Sequence, residues 1–150
     1  MAYYFASDVH LGLDYRGADS RERERRFVHW LETIRGDCEG LFLAGDVFDF
    51  WFEYRRVVPK GFVRTLGKLA EFCDAGIPVH FFVGNHDLWV GDYFEREVGM
   101  KVHLEPSVFE LYGRKIWIAH GDGVGKSGDW RYALLRTVFH SRFLRRVFSA

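Results

Sequence analysis

Four short apolar runs in this chain each end abruptly on a polar cluster, and that recurrence constrains the fold more than any other feature. Tyr3, Tyr4, Phe5 and Ala6 stop at Ser7, Asp8 and His10; Leu41, Phe42, Leu43 and Ala44 stop at Gly45 and Asp46; Val79 to Val83 stops at Gly84, Asn85, His86 and Asp87. A hairpin expected from Val108 through Gly113 to Ile118 stops at His120, Gly121 and Asp122. Runs this short, rich in aromatic and branched residues, read as buried strands. Between the first two, the stretch from Ser20, read as the N-cap, to Arg35 places Phe27, Trp30, Leu31 and Ile34 at helical spacing. Between the second and third, Pro59 suits the first turn of a helix carrying Phe62, Leu66, Leu69 and Cys73 inward, with Gly76 closing it. Alternating strand and helix predicts an α/β sheet whose early strands are parallel, and such sheets gather their sites at the carboxyl ends of the strands. One cluster delivered by four strands is the expectation.

With 150 residues, 48% of them hydrophobic, the chain can bury a core of its own. Its fifteen Phe, five Trp and seven Tyr exceed what that core needs and predict exposed apolar surface. The formal net charge is zero but unevenly spread, since residues 126–150 carry Lys126, Arg131, Arg136, Arg142, Arg145 and Arg146 against Asp129 alone. The reading is a core over residues 1–125 followed by a basic amphipathic segment over 126–150 that meets an anionic ligand or membrane surface, with a solvated helix face as the alternative. Confinement of the excess cations to one apolar-rich segment argues against nucleic acid. Cys38 and Cys73 are too few for a disulfide framework or zinc knuckle, which predicts a reducing compartment. No secretory leader opens the chain and no apolar run reaches membrane-spanning length, so a cytoplasmic protein, peripheral to a membrane, is expected.

The polar clusters have the chemistry of a metal centre. Asp8 and His10 form a DxH pair, expected on extended backbone with both side chains to one side; carboxylate plus imidazole suits Mn²⁺, Fe²⁺ or Zn²⁺. In Gly45, Asp46 and Asp49 the glycine permits a tight turn and Asp46 can bridge two metals through its two oxygens, while Asp49 orients a ligand from behind. Asn85 offers an amide oxygen to a metal, and His86 can reach a leaving group or phosphoryl oxygens with Asp87 holding its tautomer. His120 supplies another imidazole. Each pattern taken alone also suits turn residues or caps.

In this order, DxH, GDxxD, GNHD and HGD over residues 3–125 resemble the calcineurin-like metallophosphoesterase family. The resemblance implies a metallophosphoesterase β-sandwich flanked by helices. It assigns one metal to Asp8, His10 and Asp46, the other to Asp46, Asn85 and His120, and transition-state stabilisation to His86; Mn²⁺ is the implied cofactor. The family completes its site with a GHxH segment, and His140 is the only histidine after His120, so the chain reads as incomplete at its C-terminus.

Within the family, Phe48, Asp49, Phe50, Trp51, Phe52 and Glu53 resemble the aromatic run of a branch that cleaves a UDP-linked, diacylated glucosamine at its pyrophosphate during lipid A biosynthesis. That branch carries arginine where this chain has His86. Another nucleotide or lipid-linked phosphate, or an inactive metal-binding remnant, are the alternative functions. The resemblance further implies substrate contacts from Asn85, His86, Asp129 and Tyr132, the last two at the start of a helical lid over a lipid-linked nucleotide at the membrane surface; no protein partner is expected. Trp51, Phe52 and Trp89 suit either an acyl or sugar pocket or the core. His29, His80, His103 and His140 read as structural or exposed.

Overall fold

The computed structural model describes residues 1–14 and 19–121. Asp122, Asp129, Tyr132 and the basic segment 126–150 therefore lie outside the described residues. The elements run β1 (Ala2–Ala6), α1 (Ser20–Ile34), β2 (Cys38–Ala44), α2 (Val63–Asp74), β3 (Val79–Phe82), a π-helical turn (Phe94–Val98), β4 (Lys101–His103), and the hairpin strands β5 (Ser107–Leu111) and β6 (Arg114–Ile118).

β1 to β4 form one parallel sheet in sequence order, with Phe5 opposite Phe42 and Phe42 opposite His80; β5 and β6 pair antiparallel in a second sheet. When every crossover steps the same way along a sheet with the usual hand, the helices all land on one face. They do so here. Phe27, Leu31 and Ile34 of α1 and Leu69 and Phe72 of α2 pack with Leu41, Leu43, Val79 and Phe81, while Phe42 and Phe82 face the opposite way onto Leu111 and Ile118 of the hairpin. The expected sandwich flanked by helices is thus present, and burial on both faces explains why β2 and β3 read as continuous apolar runs.

The sequence reading departs from the structure in several local details. The cap of α1 is Asp19, whose carboxylate accepts from the Arg21 N–H at 2.9 Å, whereas the Ser20 hydroxyl accepts from the Gly12 N–H. The helix expected from Pro59 begins only at Val63, because Gly61 and Phe62 both have left-handed backbones (φ 101° and 59°) that no α-helix accommodates. Phe62 instead packs on Phe48 and Trp51. Neither the π-helical turn nor three-residue β4 was expected, since both are too short for a periodic signal. Trp51 is wholly buried, with Phe94 at 4.4 Å between ring centroids, and Phe52 packs on Trp89. The excess aromatics emerge as exposed Phe50, Tyr54, Tyr112 and Trp117.

Candidate metal centre

β1, β2 and β3 are neighbours that all point the same way, so their carboxyl ends bring Asp8, Asp46 and Asn85 to one edge of the sheet. The two loops leaving β1 and β2 continue the pairing beyond the strands: the N–H groups of Asp8, His10 and Leu11 donate to the carbonyls of Gly45, Asp46 and Val47, and that of Asp49 returns to Leu11. Within this strap Asp8, His10 and Asp46 all have left-handed backbones, with φ of 53°, 48° and 52°. The DxH pair is therefore not extended, as the sequence suggested. A left-handed conformation costs a residue with a Cβ about 1 kcal/mol or more, and it persists where surrounding bonds enforce it, commonly at functional sites.

Asp46 lies at the centre and is nearly inaccessible. Its Oδ1 accepts from the His86 N–H at 3.0 Å, and its Oδ2 lies 3.3 Å from His120 Nε2. Burial pushes this carboxyl up, but the hydrogen bonds and charges of His120 and His86 outweigh it and leave the acid stronger than usual. On the other side, donor atoms of Asp8, His10 and Asp46 lie within 4.8 Å of one another, as do those of His10, Asp49 and His86.

His120 shows why such a set suits a cation. Its Nδ1 meets the Ala44 carbonyl at 3.0 Å, which only an N–H can satisfy, so the neutral ring carries its lone pair on Nε2. That lone pair faces Asn85 Oδ1 at 3.1 Å and Asp46 Oδ2. With the ring neutral, three acceptors converge there and repel one another until a positive charge sits among them, either a proton on Nε2, the state in which His120 bonds Asp46 and strengthens its acid, or a metal cation in its place. His10 adds a second sign, because its Nδ1 is buried with no hydrogen bond, 3.4 Å from Asp49 Oδ1. Carboxylates, imidazoles and an amide oxygen form a donor set that borderline divalent metals accept. The residues present fit the metals that the sequence implied.

Two glycines make the approach possible. A Cβ on Gly84 would lie 2.1 Å from Asp46 Oδ1, and one on Gly45 would lie 2.5 Å from His120 Nδ1. Glycine at these positions lets the backbones lie against the ligands themselves.

Two assignments around His86 change. Asp87 does not hold its ring: the Asp87 carboxylate is buried and accepts from the N–H groups of Gly84 at 2.7 Å and Val47 at 3.0 Å, tying the β3 loop to the β2 loop. Burial pushes its acid up to about 6, opposed by those N–H groups and aided by the Asp46 charge. His86 Nδ1 instead meets the Asp49 carbonyl at 2.9 Å, with the Asp49 carboxylate 3.4 Å away. The Asp49 carboxylate also lies 3.4 Å from His10 Nδ1, without a hydrogen bond, so Asp49 stands beside both rings. Beside these residues lies a cleft of about 430 Å³ lined by Asp8, Val9, His10, Leu13, Arg23, Asp49 and His86. Sequence reasoning missed Arg23, because in this helix only the apolar positions carried a signal; its bond to the His10 carbonyl, thirteen positions away in sequence, reveals it.

Comparison with known proteins follows the same lines. The profile of the family described as calcineurin-like phosphoesterase matches residues 1–146. A UDP-2,3-diacylglucosamine hydrolase of Porphyromonas gingivalis is 44% identical over 98% of this chain and 56% of its own. Those of Hamiltonella defensa and Vibrio vulnificus are 34% and 31% identical, each over 99% of this chain and over 55% and 58% of their own lengths. The chain thus spans little more than half the length of these relatives. On the profile match and these identities, the chain belongs to the calcineurin-like phosphoesterase family.

Proposed function

We propose that this chain carries most of the metal centre of a hydrolase that cleaves the pyrophosphate of UDP-2,3-diacylglucosamine, releasing UMP and 2,3-diacylglucosamine 1-phosphate. The observation that carries the reading is the position of Asp46, with one oxygen directed at His120 and the carboxylate grouped with Asp8 and His10 on its other side. A carboxylate so placed can join two metal sites. The names of the relatives supply the substrate, over nearly the whole of this chain.

Asp8, His10 and Asp46 would hold one divalent ion and Asp46, Asn85 and His120 the other, with Mn²⁺ as the metal. When bound, such ions neutralise phosphoryl charge and lower the pKa of the attacking water. The chain's own residues do the rest. The Ala44 carbonyl fixes the His120 ring so that Nε2 faces inward, and the Asp49 carbonyl fixes His86 by Nδ1 so that Nε2 is left to meet a phosphoryl oxygen. The strap between the β1 and β2 loops removes the freedom of Asp8 and His10 to turn away. Asp87 acts through the backbone, holding the Gly84 turn against Asp46.

A lipid-linked substrate places the enzyme at the cytoplasmic face of the inner membrane. The basic, aromatic composition of residues 126–150 supports that placement, and Asp129 and Tyr132 in that segment would contact the substrate. Among the described residues no helix is long and apolar enough to cross a membrane.

The direct test is Mn²⁺-dependent UMP release from UDP-2,3-diacylglucosamine by the full-length protein. Asp46→Ala should lower the rate by more than about a thousandfold, as loss of a group holding both metals would. An active Asp46→Ala enzyme, or a metal-loaded wild type inert toward this substrate, would defeat the proposal.

A further inference from the structure

The first turn of a helix is the positive end of its dipole, where a cation is disfavoured. Arg23 nevertheless sits there, in the first turn of α1 behind the Asp19 cap, with its side chain half-buried. Arg26, one turn later in register, pairs with Glu22 on the surface in the ordinary way. Arg23 does something else. Its Nη1 donates to the backbone carbonyl of His10 at 2.7 Å and to that of Leu13 at 2.9 Å, and the side chain forms part of the wall of the cleft beside Asp8, His10, Asp49 and His86.

These contacts matter because of the backbone they grip. His10 is left-handed at φ 48°, and a residue in that state relaxes unless the peptide planes on both sides are pinned. The Asp46 carbonyl pins the plane before it, accepting the His10 N–H at 3.0 Å. The plane after it is held from both ends, by the Leu11 N–H donating to the Val47 carbonyl at 2.9 Å and by Arg23 on the His10 carbonyl. The second bond, to Leu13, anchors the same guanidinium further along the loop, so one rigid planar group spans residues 10 to 13. Both bonds leave one nitrogen, whose two N–H directions are fixed in the guanidinium plane; a lysine ammonium on a flexible stem does not hold its N–H groups in such a plane.

We propose that Arg23 is a positioning residue, which by clamping the left-handed backbone of His10 aims that ring into the cluster with Asp8 and Asp46 and sets the affinity of that metal site. The inference rests on the metal reading above. Its signature is asymmetry: the Asp46, Asn85 and His120 site is built from β2, β3 and the segment after β6, none of which Arg23 grips.

The test uses the full-length protein and Mn²⁺ alone as probe, with free ion counted by electron paramagnetic resonance as it is titrated. Wild type should show two binding events. Arg23→Met should weaken one of them about ten- to hundredfold, the range for loss of a group that orients a metal ligand, and leave the other within about twofold. Arg23→Lys, which keeps the charge but not the planar group that fixes the two N–H directions, should recover only part of that loss, and Arg23→Met should add nothing in a His10→Ala background. Equal weakening of both sites together with a lower Tm of the metal-free protein would overturn the inference in favour of a general structural role. Full recovery by lysine, or unchanged binding in Arg23→Met, would overturn it as well. A wild type that binds no Mn²⁺ would remove the metal reading itself, and so is distinguishable from failure of the clamp alone.

Discussion

Two groups of histidines lie in this small chain, and their chemistry is opposite. His10, His86 and His120 stand at the carboxyl ends of strands, each facing carboxylate or carbonyl oxygens. His80 and His103 belong to the β3–β4 ladder, His103 as the last residue of β4, and on the hairpin face of the parallel sheet they bond one another, Nδ1 to Nε2, at 2.9 Å. Phe42 stacks on His80 at 4.8 Å, Phe82 stacks on His103 at 4.5 Å, and the Phe109 ring meets both histidines edge-on. Burial, then the charges of His103 and Lys101, hold His80 down to about 4; burial and Lys101 hold His103 down as well, opposed by Glu95. One group is arranged to receive a cation and the other to exclude a proton. Position beyond the strand against position in the ladder makes the difference, because loops turn peptide groups toward the site while ladder residues spend theirs on neighbouring strands.

The largest expected effect separates the two regions by stability. Phe42 is the centre of the hairpin-side cluster, stacked on Phe5 and His80 and edge-on to Phe109. Phe42→Ala should cost about 3–5 kcal/mol in chemical unfolding while the protein that remains folded binds Mn²⁺ as before. Equal losses in stability and in metal affinity would erase the distinction between the regions.

Next in size is Gly84→Ala, which drives a Cβ into Asp46. It should weaken Mn²⁺ binding about ten- to hundredfold, with a smaller fall in Tm than Phe42→Ala produces. Ordinary affinity in this variant would mean that the close approach of the two loops is not needed to shape the ligands.

The most gradual effect is in pH dependence. Because the folded His80 ionises near 4 against an ordinary 6.5, the unfolded chain takes up that proton first. Stability from this group is complete above the upper value, declines as pH falls through the window at no more than about 1.4 kcal/mol per pH unit, and levels off below it. Asp87, raised to about 6, acts in the opposite sense, since the folded state takes its proton first and stability gains as pH falls through that value. The informative quantity is therefore the difference between wild type and His80→Phe in urea midpoints from pH 7 to pH 4. That difference should shift toward the variant as acid is added; a constant difference would show that the His80–His103 pair ionises as freely as a surface histidine.

Much of the architecture was legible in the sequence because strands buried on both faces must be apolar along their length, and the polar residue ending each such run marks where the chain leaves the sheet. Leu41 to Ala44 and Val79 to Val83 were read this way, the second strand ending one residue sooner, at Phe82. The helix before β3 was misplaced at its start because Pro59 is a genuine start signal, whereas the left-handed Phe62 that delays the helix is favoured only by packing against Phe48 and Trp51. The metal-ligating set was legible as types and spacing; the partner of His86 was not. Adjacency in sequence suggested Asp87, but in the folded chain that carboxylate turns inward to backbone N–H groups, and a residue thirty-seven positions away meets the ring instead.

The sequence by itself determined the alternation of strand and helix, the residues available to bind metal and the family to which their order belongs, because periodicity and short motifs are local properties of the chain. Tertiary structure decided which groups confront one another: the left-handed backbones of Asp8, His10 and Asp46, the clearance that Gly45 and Gly84 leave for ligands, the clamp from Arg23, and the pairing of His80 with His103. Each of these depends on the distance between segments remote in sequence. Only packing the helices on one face of the sheet and the hairpin on the other fixes those distances.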